Sequence, residues 1–125
     1  MVRPEPTSDM TPKSASASAE PSAALTVRTL VDVDLTAFHT DPHMGEGRHE
    51  HTWNVQAVFD GQPFRDARAL RTALTHLLSG LQGADLPADL WSGEALAAFV
   101  LSTLGTGDPI GCVVRRPGFQ AEAWL

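Results

Sequence analysis

Side chains alternate between apolar and polar along residues 27–39, and this pattern constrains the fold more than any other part of the chain. The odd positions are mostly aliphatic, and arginine, aspartate or threonine occupies most positions between them. Such alternation is typical of a β-strand with one buried face. It also places His39, the last odd position, on the buried side of that strand.

The hydrophobic pattern then changes period twice along the chain. It alternates again, next recurs every three or four positions as in amphipathic helices, and alternates once more near residue 125. The predicted elements are strands over 49–59, 110–115 and 119–125, a helix over 64–81, and a helix from an N-cap at Ser92 to Leu104. Asp41-Pro42 and Gly45-Glu46-Gly47 predict a loop between the first two strands. This order predicts an α+β fold, with two helices on one face of an antiparallel sheet.

The length of 125 residues fits one domain. Residues 1–24 are rich in Pro, Ser, Ala and Thr without apolar periodicity, which predicts a disordered tail ahead of a folded domain over 25–125. The tail has no apolar stretch typical of a secretory signal, and no run is long enough for a membrane helix. We therefore expect no membrane partner.

Charge and cysteine content narrow the expected surroundings of the protein. The net charge is −6 and the nine basic residues are scattered, which disfavours binding to nucleic acid. Cys112 is the only cysteine, so no intrachain disulfide can form and a cytoplasmic location is expected. Cys112 also lies in an apolar run, where a free cysteine usually behaves as a small buried hydrophobic residue.

Four of the five histidines lie close together in the sequence, at His39, His43, His49 and His51. Neutral imidazole is the commonest protein ligand for zinc and related ions. His49 and His51 are two residues apart and point to the same face of a strand, and His39 can approach from a neighbouring strand. Three protein ligands leave a coordination position open, as in catalytic sites. We predict about one zinc ion per chain on His39, His49 and His51, with His43 in place of His39 as the alternative.

Several short motifs follow one another in a set order along residues 25–125. They are Leu35-Thr-Ala-Phe-His39, His49-Glu-His51-Thr-Trp-Asn-Val55, Asp66-Ala-Arg-Ala-Leu70-Arg71 and Trp91-Ser-Gly-Glu94-Ala-Leu96-Ala97. In this order they resemble the motifs of the 6-pyruvoyl tetrahydropterin synthase and 6-carboxytetrahydropterin synthase family. The resemblance implies the tunnelling fold (T-fold), in which subunits join their sheets into an oligomeric barrel. It also implies that the three histidines are zinc ligands, and that this chain is a homo-oligomer, expected to be a hexamer, with interface active sites.

The family's proton-transfer and pterin-binding positions are changed in this chain. The family has a catalytic cysteine in the loop before its His-x-His motif, and this chain has none there. The family's Asp-His pair after the first helix falls on Gln82 and Gly83, and its pterin-anchoring glutamate falls on Arg116. A carboxylate accepts hydrogen bonds from the N–H edge of a pterin, whereas an arginine offers only donors. The metal ligands are retained while the proton relay and the pterin anchor are lost.

Other groups must then supply acid–base catalysis and substrate binding. His43, Asp41 and Glu46 lie in the predicted loop, and His43 is the first candidate because an imidazole exchanges protons near neutral pH. Arg116 is expected to bind a carboxylate, phosphate, enolate or carbonyl oxygen. Trp53 shares the face of the two neighbouring histidines and either walls the pocket or packs in the core. The alternative for His43 and Arg116 is that both are simply exposed to solvent.

These expectations favour a diverged zinc-dependent lyase or cyclase. The reaction would be a metal-assisted elimination, isomerisation, aldol-type cleavage or cyclisation of a small polar carbonyl substrate, in a specialised biosynthetic pathway. One alternative is a pterin synthase of the same family with substituted catalytic residues. A second is a non-catalytic scaffold subunit that keeps its metal for structure. An open coordination position would favour an enzyme, and a fourth protein ligand would favour the scaffold.

Overall fold

A computed structural model of the protein describes residues 25–41, 45–61 and 64–125. The predictions for the 1–24 tail and for His43 lie outside these residues. The elements are β1 (Arg28–Asp41), β2 (Glu46–Asp60), α1 (Ala67–Ser79), a 3-10 turn (Ala88–Leu90), α2 (Gly93–Thr103), β3 (Gly111–Arg116) and β4 (Phe119–Trp124). The predicted order of strands and helices is confirmed, and only the 3-10 turn was not foreseen.

The four strands form one antiparallel sheet in the order β1-β2-β3-β4. Each strand therefore pairs with its neighbour in sequence, and the two helices are inserted between β2 and β3. The α+β class is confirmed, and the arrangement is compatible with a T-fold subunit. Among the described residues, no helix is both long enough and apolar enough to cross a membrane.

Both helices pack on the same face of the sheet. The odd positions of β1 are buried on this face, as the alternation predicted, and Leu35 is fully buried. Leu70, Leu74 and Leu78 of α1 belong to the same buried cluster as Leu35. From α2, the cluster takes Leu96, Ala97 and Val100. This shared cluster fixes the helices against the sheet and leaves the histidine end of β1 next to the start of α2.

The helices begin where side chains cap them. The Asp66 carboxylate accepts hydrogen bonds from the backbone N–H groups of Arg68 and Ala69, so α1 starts later than the predicted position 64. The Ser92 hydroxyl accepts from the N–H of Ala95, which confirms the predicted N-cap of α2.

The predicted loop between the first two strands is shorter than expected. Asp41 still belongs to β1, Glu46 and Gly47 already belong to β2, and Asp41 pairs with Glu46. The pairing register shifts between His39 and Asp41, so β2 holds one more residue than β1 in this stretch. Such a bulge lets pairing continue through a glycine-containing segment that otherwise reads as a loop. The loop prediction for Asp41, Glu46 and Gly47 was wrong.

The segment after α1 covers the outer edge of β1. The side-chain amide of Gln82 accepts from the N–H of Thr36 and donates to the C=O of Asp34. Gly83 donates its N–H to the C=O of Thr36 and has a φ of 70°, a conformation that favours glycine. The two residues at the family's Asp-His positions therefore close a sheet edge in this chain.

Candidate metal centre

Three imidazoles meet at one end of the β1–β2 pair. His39 lies directly opposite His49, and His51 lies opposite Ala37 on the same face. The Nε2 atoms of His39 and His49 are 2.9 Å apart, and one ligand nitrogen from each of the three histidines lies within 4.8 Å of the others. The structure thus brings together the three histidines singled out in the sequence, and they could hold a metal ion.

Backbone carbonyls orient two of these rings. The Nδ1 of His39 lies 2.6 Å from the carbonyl oxygen of Trp91, and the Nδ1 of His49 lies 2.7 Å from that of Gly47. A carbonyl can only accept, so each Nδ1 donates its proton to a carbonyl, and the neutral tautomer of this kind has its lone pair on Nε2. Two lone pairs facing each other at this distance call for a cation or a proton between them. In metal-binding histidines, the ring nitrogen that does not bind the metal usually donates to a carbonyl or carboxylate, as Nδ1 does here. The donor set fits a divalent ion.

His51 has a different neighbour, because its Nδ1 lies 3.4 Å from an Nη1 of Arg116. The pKa of His51 is lowered from its ordinary value, first by burial and then by the positive charge of Arg116 and the other two histidines. Glu46 opposes this shift. A lowered pKa keeps the imidazole neutral, and the neutral form is the one that binds metals.

Two carboxylates lie beside the histidines, and the bulge between β1 and β2 brings one of them there. The register shift turns Glu46 to the histidine face, where its Oε1 lies 3.7 Å from the Nε2 of His49. Asp41 lies two residues after His39, and these two residues line one cavity. Both were predicted as candidates, and the structure places both next to the histidines.

A cavity of about 300 Å³ opens beside His39. Its aromatic wall is formed by Trp53, Trp91 and Phe119, and its polar groups include Asp41, Glu94 and Arg116. Trp53 is almost fully buried, with its ring centroid 5.3 Å from that of His39, so it both packs in the core and walls the pocket. On the other side of Arg116, a more open recess is lined by Glu46, His49 and His51.

Sequence reasoning missed Trp91 as a site residue. It follows the 3-10 turn and precedes the N-cap Ser92, and this position aims its carbonyl at His39. The only local signal was an aromatic residue just before a predicted N-cap, and that signal does not indicate what the backbone carbonyl contacts.

Several titratable residues are kept away from the site. Cys112 is fully buried in β3, and burial raises its pKa to about 12, so it does not supply a thiolate. His76 is exposed on α1, away from the leucine stripe. Glu50 is exposed and lies opposite Phe38, between the two histidine positions of β2.

The site therefore combines a three-histidine cluster, two flanking carboxylates and an arginine at the edge of a cavity. No protein-family model matches this chain, and no curated protein matches it either.

Proposed function

We propose that this protein is a metal-dependent enzyme with a T-fold subunit, diverged from the 6-pyruvoyl tetrahydropterin synthase family, and that it converts a small polar carbonyl compound. One observation carries the proposal. The three imidazoles come together where His39 lines the cavity and where His49 and His51 line the more open recess, and the Nδ1 atoms of His39 and His49 are held by backbone carbonyls. A site of this donor type that opens on a cavity suits catalysis better than a closed structural site.

His39, His49 and His51 would hold the ion, which we propose to be zinc. A divalent ion held by three neutral imidazoles supplies Lewis-acid polarisation of a carbonyl or hydroxyl oxygen. The chain's own contribution is to orient His39 and His49 through backbone carbonyls, to favour the neutral form of His51 by lowering its pKa, and to close one side of the site with the buried ring of Trp53.

Proton transfer falls to the flanking carboxylates in this proposal. Glu46 faces the more open recess and Asp41 faces the cavity, so each can hold or release a proton on a different side of the histidines. His43 lies between them in sequence and remains a candidate for the same role. This set is compatible with elimination, isomerisation, aldol-type cleavage or cyclisation, all of which need a base near a polarised oxygen.

The scaffold alternative depends on Glu46. Its Oε1 is close enough to the Nε2 of His49 that a side-chain rotation would bring it to the ion as a fourth protein ligand. The side chain of Glu46 is, however, 59% exposed, and it stands outside the group whose ligand atoms all lie within 4.8 Å of one another. Three donors from this chain therefore describe the site better than four.

A substrate survey tests the enzymatic proposal. We expect the zinc-loaded protein to convert at least one compound in a panel of small aldehydes, ketones and oxo acids, followed by proton NMR in D2O. Conversion should stop after treatment with a chelator and in a His49→Ala/His51→Ala variant. Turnover that survives both treatments would contradict a metal-dependent reaction, and a panel that stays unchanged would favour the scaffold.

We also propose that the chain assembles into a hexamer with sites at subunit interfaces. β4 is an edge strand of the described sheet, and the exposed residues Phe119 and Leu125 lie at or next to it. Unpaired edges of this kind tend to be covered in assemblies. Light scattering coupled to size exclusion should give about six chains per particle, with or without residues 1–24. A monomer at micromolar concentration would refute the assembly.

A further inference from the structure

Among the described residues, Arg116 has two close contacts at the site. Its guanidinium contacts the Nδ1 of His51 at 3.4 Å and stacks over the ring of Phe119 at 4.6 Å from the centroid. No carboxylate within residues 25–41, 45–61 and 64–125 forms an ion pair with it. The stacking fixes the plane of the guanidinium, and Arg116 lines the cavity.

Metal binding removes the hydrogen-bond acceptor that His51 offers to Arg116. A neutral imidazole carries a single lone pair on its nitrogens. If Nδ1 of His51 binds the metal, that lone pair is used. If Nε2 binds it, Nδ1 carries the proton and becomes a donor. In both cases the guanidinium faces a group that cannot accept, beside a second positive charge.

We propose that the resulting need for an anion defines the substrate class of this site, a small monocarboxylate with a carbonyl or hydroxyl oxygen next to the carboxylate. The inference rests on the metal site of the proposed function. Arg116 holds the carboxylate through its two-pronged guanidinium. Binding of the metal and binding of the carboxylate reinforce each other. The metal takes away the acceptor of Arg116 and adds a positive charge beside it, and the carboxylate supplies a new acceptor and a negative charge.

The size of the ligand follows from His51. Arg116 contacts this ring directly, and the ring belongs to the histidine cluster. A ligand that reaches both the guanidinium and the metal therefore spans little more than one imidazole ring. This distance fits an oxygen on the carbon adjacent to the carboxylate, as in 2-oxo and 2-hydroxy acids.

The charge of the ligand follows from the cavity wall. We place the ligand in the cavity on the His39 side of Arg116, where the described lining includes the carboxylates of Asp41 and Glu94 and no cationic side chain besides Arg116. A second negative charge on the ligand would be repelled by these carboxylates. The wall therefore favours a monocarboxylate over phosphate, although both anions suit the guanidinium fork.

Calorimetric titration with pyruvate tests the inference. The zinc-loaded protein should bind pyruvate at least about tenfold more tightly than the chelator-treated protein does, and more tightly than it binds inorganic phosphate or the uncharged pyruvamide. Arg116→Gln should weaken the binding of pyruvate to the zinc-loaded protein and reduce the difference between loaded and metal-free protein. Arg115→Gln is the matched control, because Arg115 lies on the opposite face and donates to Gln56 and Gln120.

A second readout separates anion binding from a purely structural role. In the absence of carboxylate, Arg116→Gln should bind zinc more tightly than the wild type, because it removes a positive charge and a competitor for the lone pair of His51. A folded Arg116→Gln protein with weaker zinc binding would overturn the inference.

The outcomes also distinguish this inference from the proposed function. A full zinc content with no pyruvate binding, with equal binding to metal-free protein, or with preferred binding of phosphate would overturn the monocarboxylate assignment and leave the metal site standing. Failure of the wild type to bind zinc would overturn both.

Discussion

Replacing His49 and His51 by alanine is expected to lower the metal content from about one divalent ion per chain to nearly none. The two residues supply two of the three imidazoles, and His39 alone, held by the carbonyl of Trp91, offers a single nitrogen donor. Elemental analysis after gel filtration in metal-free buffer measures the effect. Because His49 and His51 are only partly buried, the double variant should still fold.

His76→Ala is the matched control for this experiment. His76 is an exposed histidine on α1, so its removal changes the histidine count without touching the cluster. Its metal content should equal that of the wild type. Equal metal content in the wild type and the His49→Ala/His51→Ala variant would refute the three-histidine site.

A second large effect is expected on the reaction of the family that the sequence resembles. We expect no detectable turnover of dihydroneopterin triphosphate under conditions in which a family enzyme is active. Gln82 uses its side-chain amide to hold the β1 edge, and Gly83 has no side chain. Cys112 is buried, with its pKa raised to about 12. None of the three can relay a proton near neutral pH.

Restoring the pterin anchor alone should not restore this reaction. Arg116→Glu returns an acceptor for the N–H edge of a pterin, but it supplies neither the missing nucleophile nor the missing acid. Pterin product from the wild type, detected by chromatography with fluorescence, would contradict the account and would assign the relay to Glu46, Asp41 or His43.

The parts of the fold that were predicted correctly depend on local patterns. The alternation in β1 and the leucine spacing in α1 record which side of each element faces the core, and this burial is the main source of stability. The shared face of His39, His49 and His51 followed from the same alternation, whereas the pairing register brings His39 opposite His49. An even spacing along two adjacent strands is enough to put three side chains on one face.

The parts that were missed depend on contacts between distant segments. The bulge that turns Glu46 to the histidine face arises from the pairing of two strands, and Gly45 and Gly47 indicate only a turn. The contact of Trp91 with His39 joins residues 52 positions apart. The role of Gln82 likewise exists only because the segment after α1 returns to the edge of β1.

X-ray absorption at the zinc K-edge of the loaded protein tests the central claim most directly. The account predicts about three nitrogen donors at roughly 2.0–2.1 Å with the multiple-scattering signature of imidazole, and a remaining light donor that is displaced when pyruvate is added. A coordination shell unaffected by pyruvate and completed by a fourth side chain such as Glu46 would contradict it.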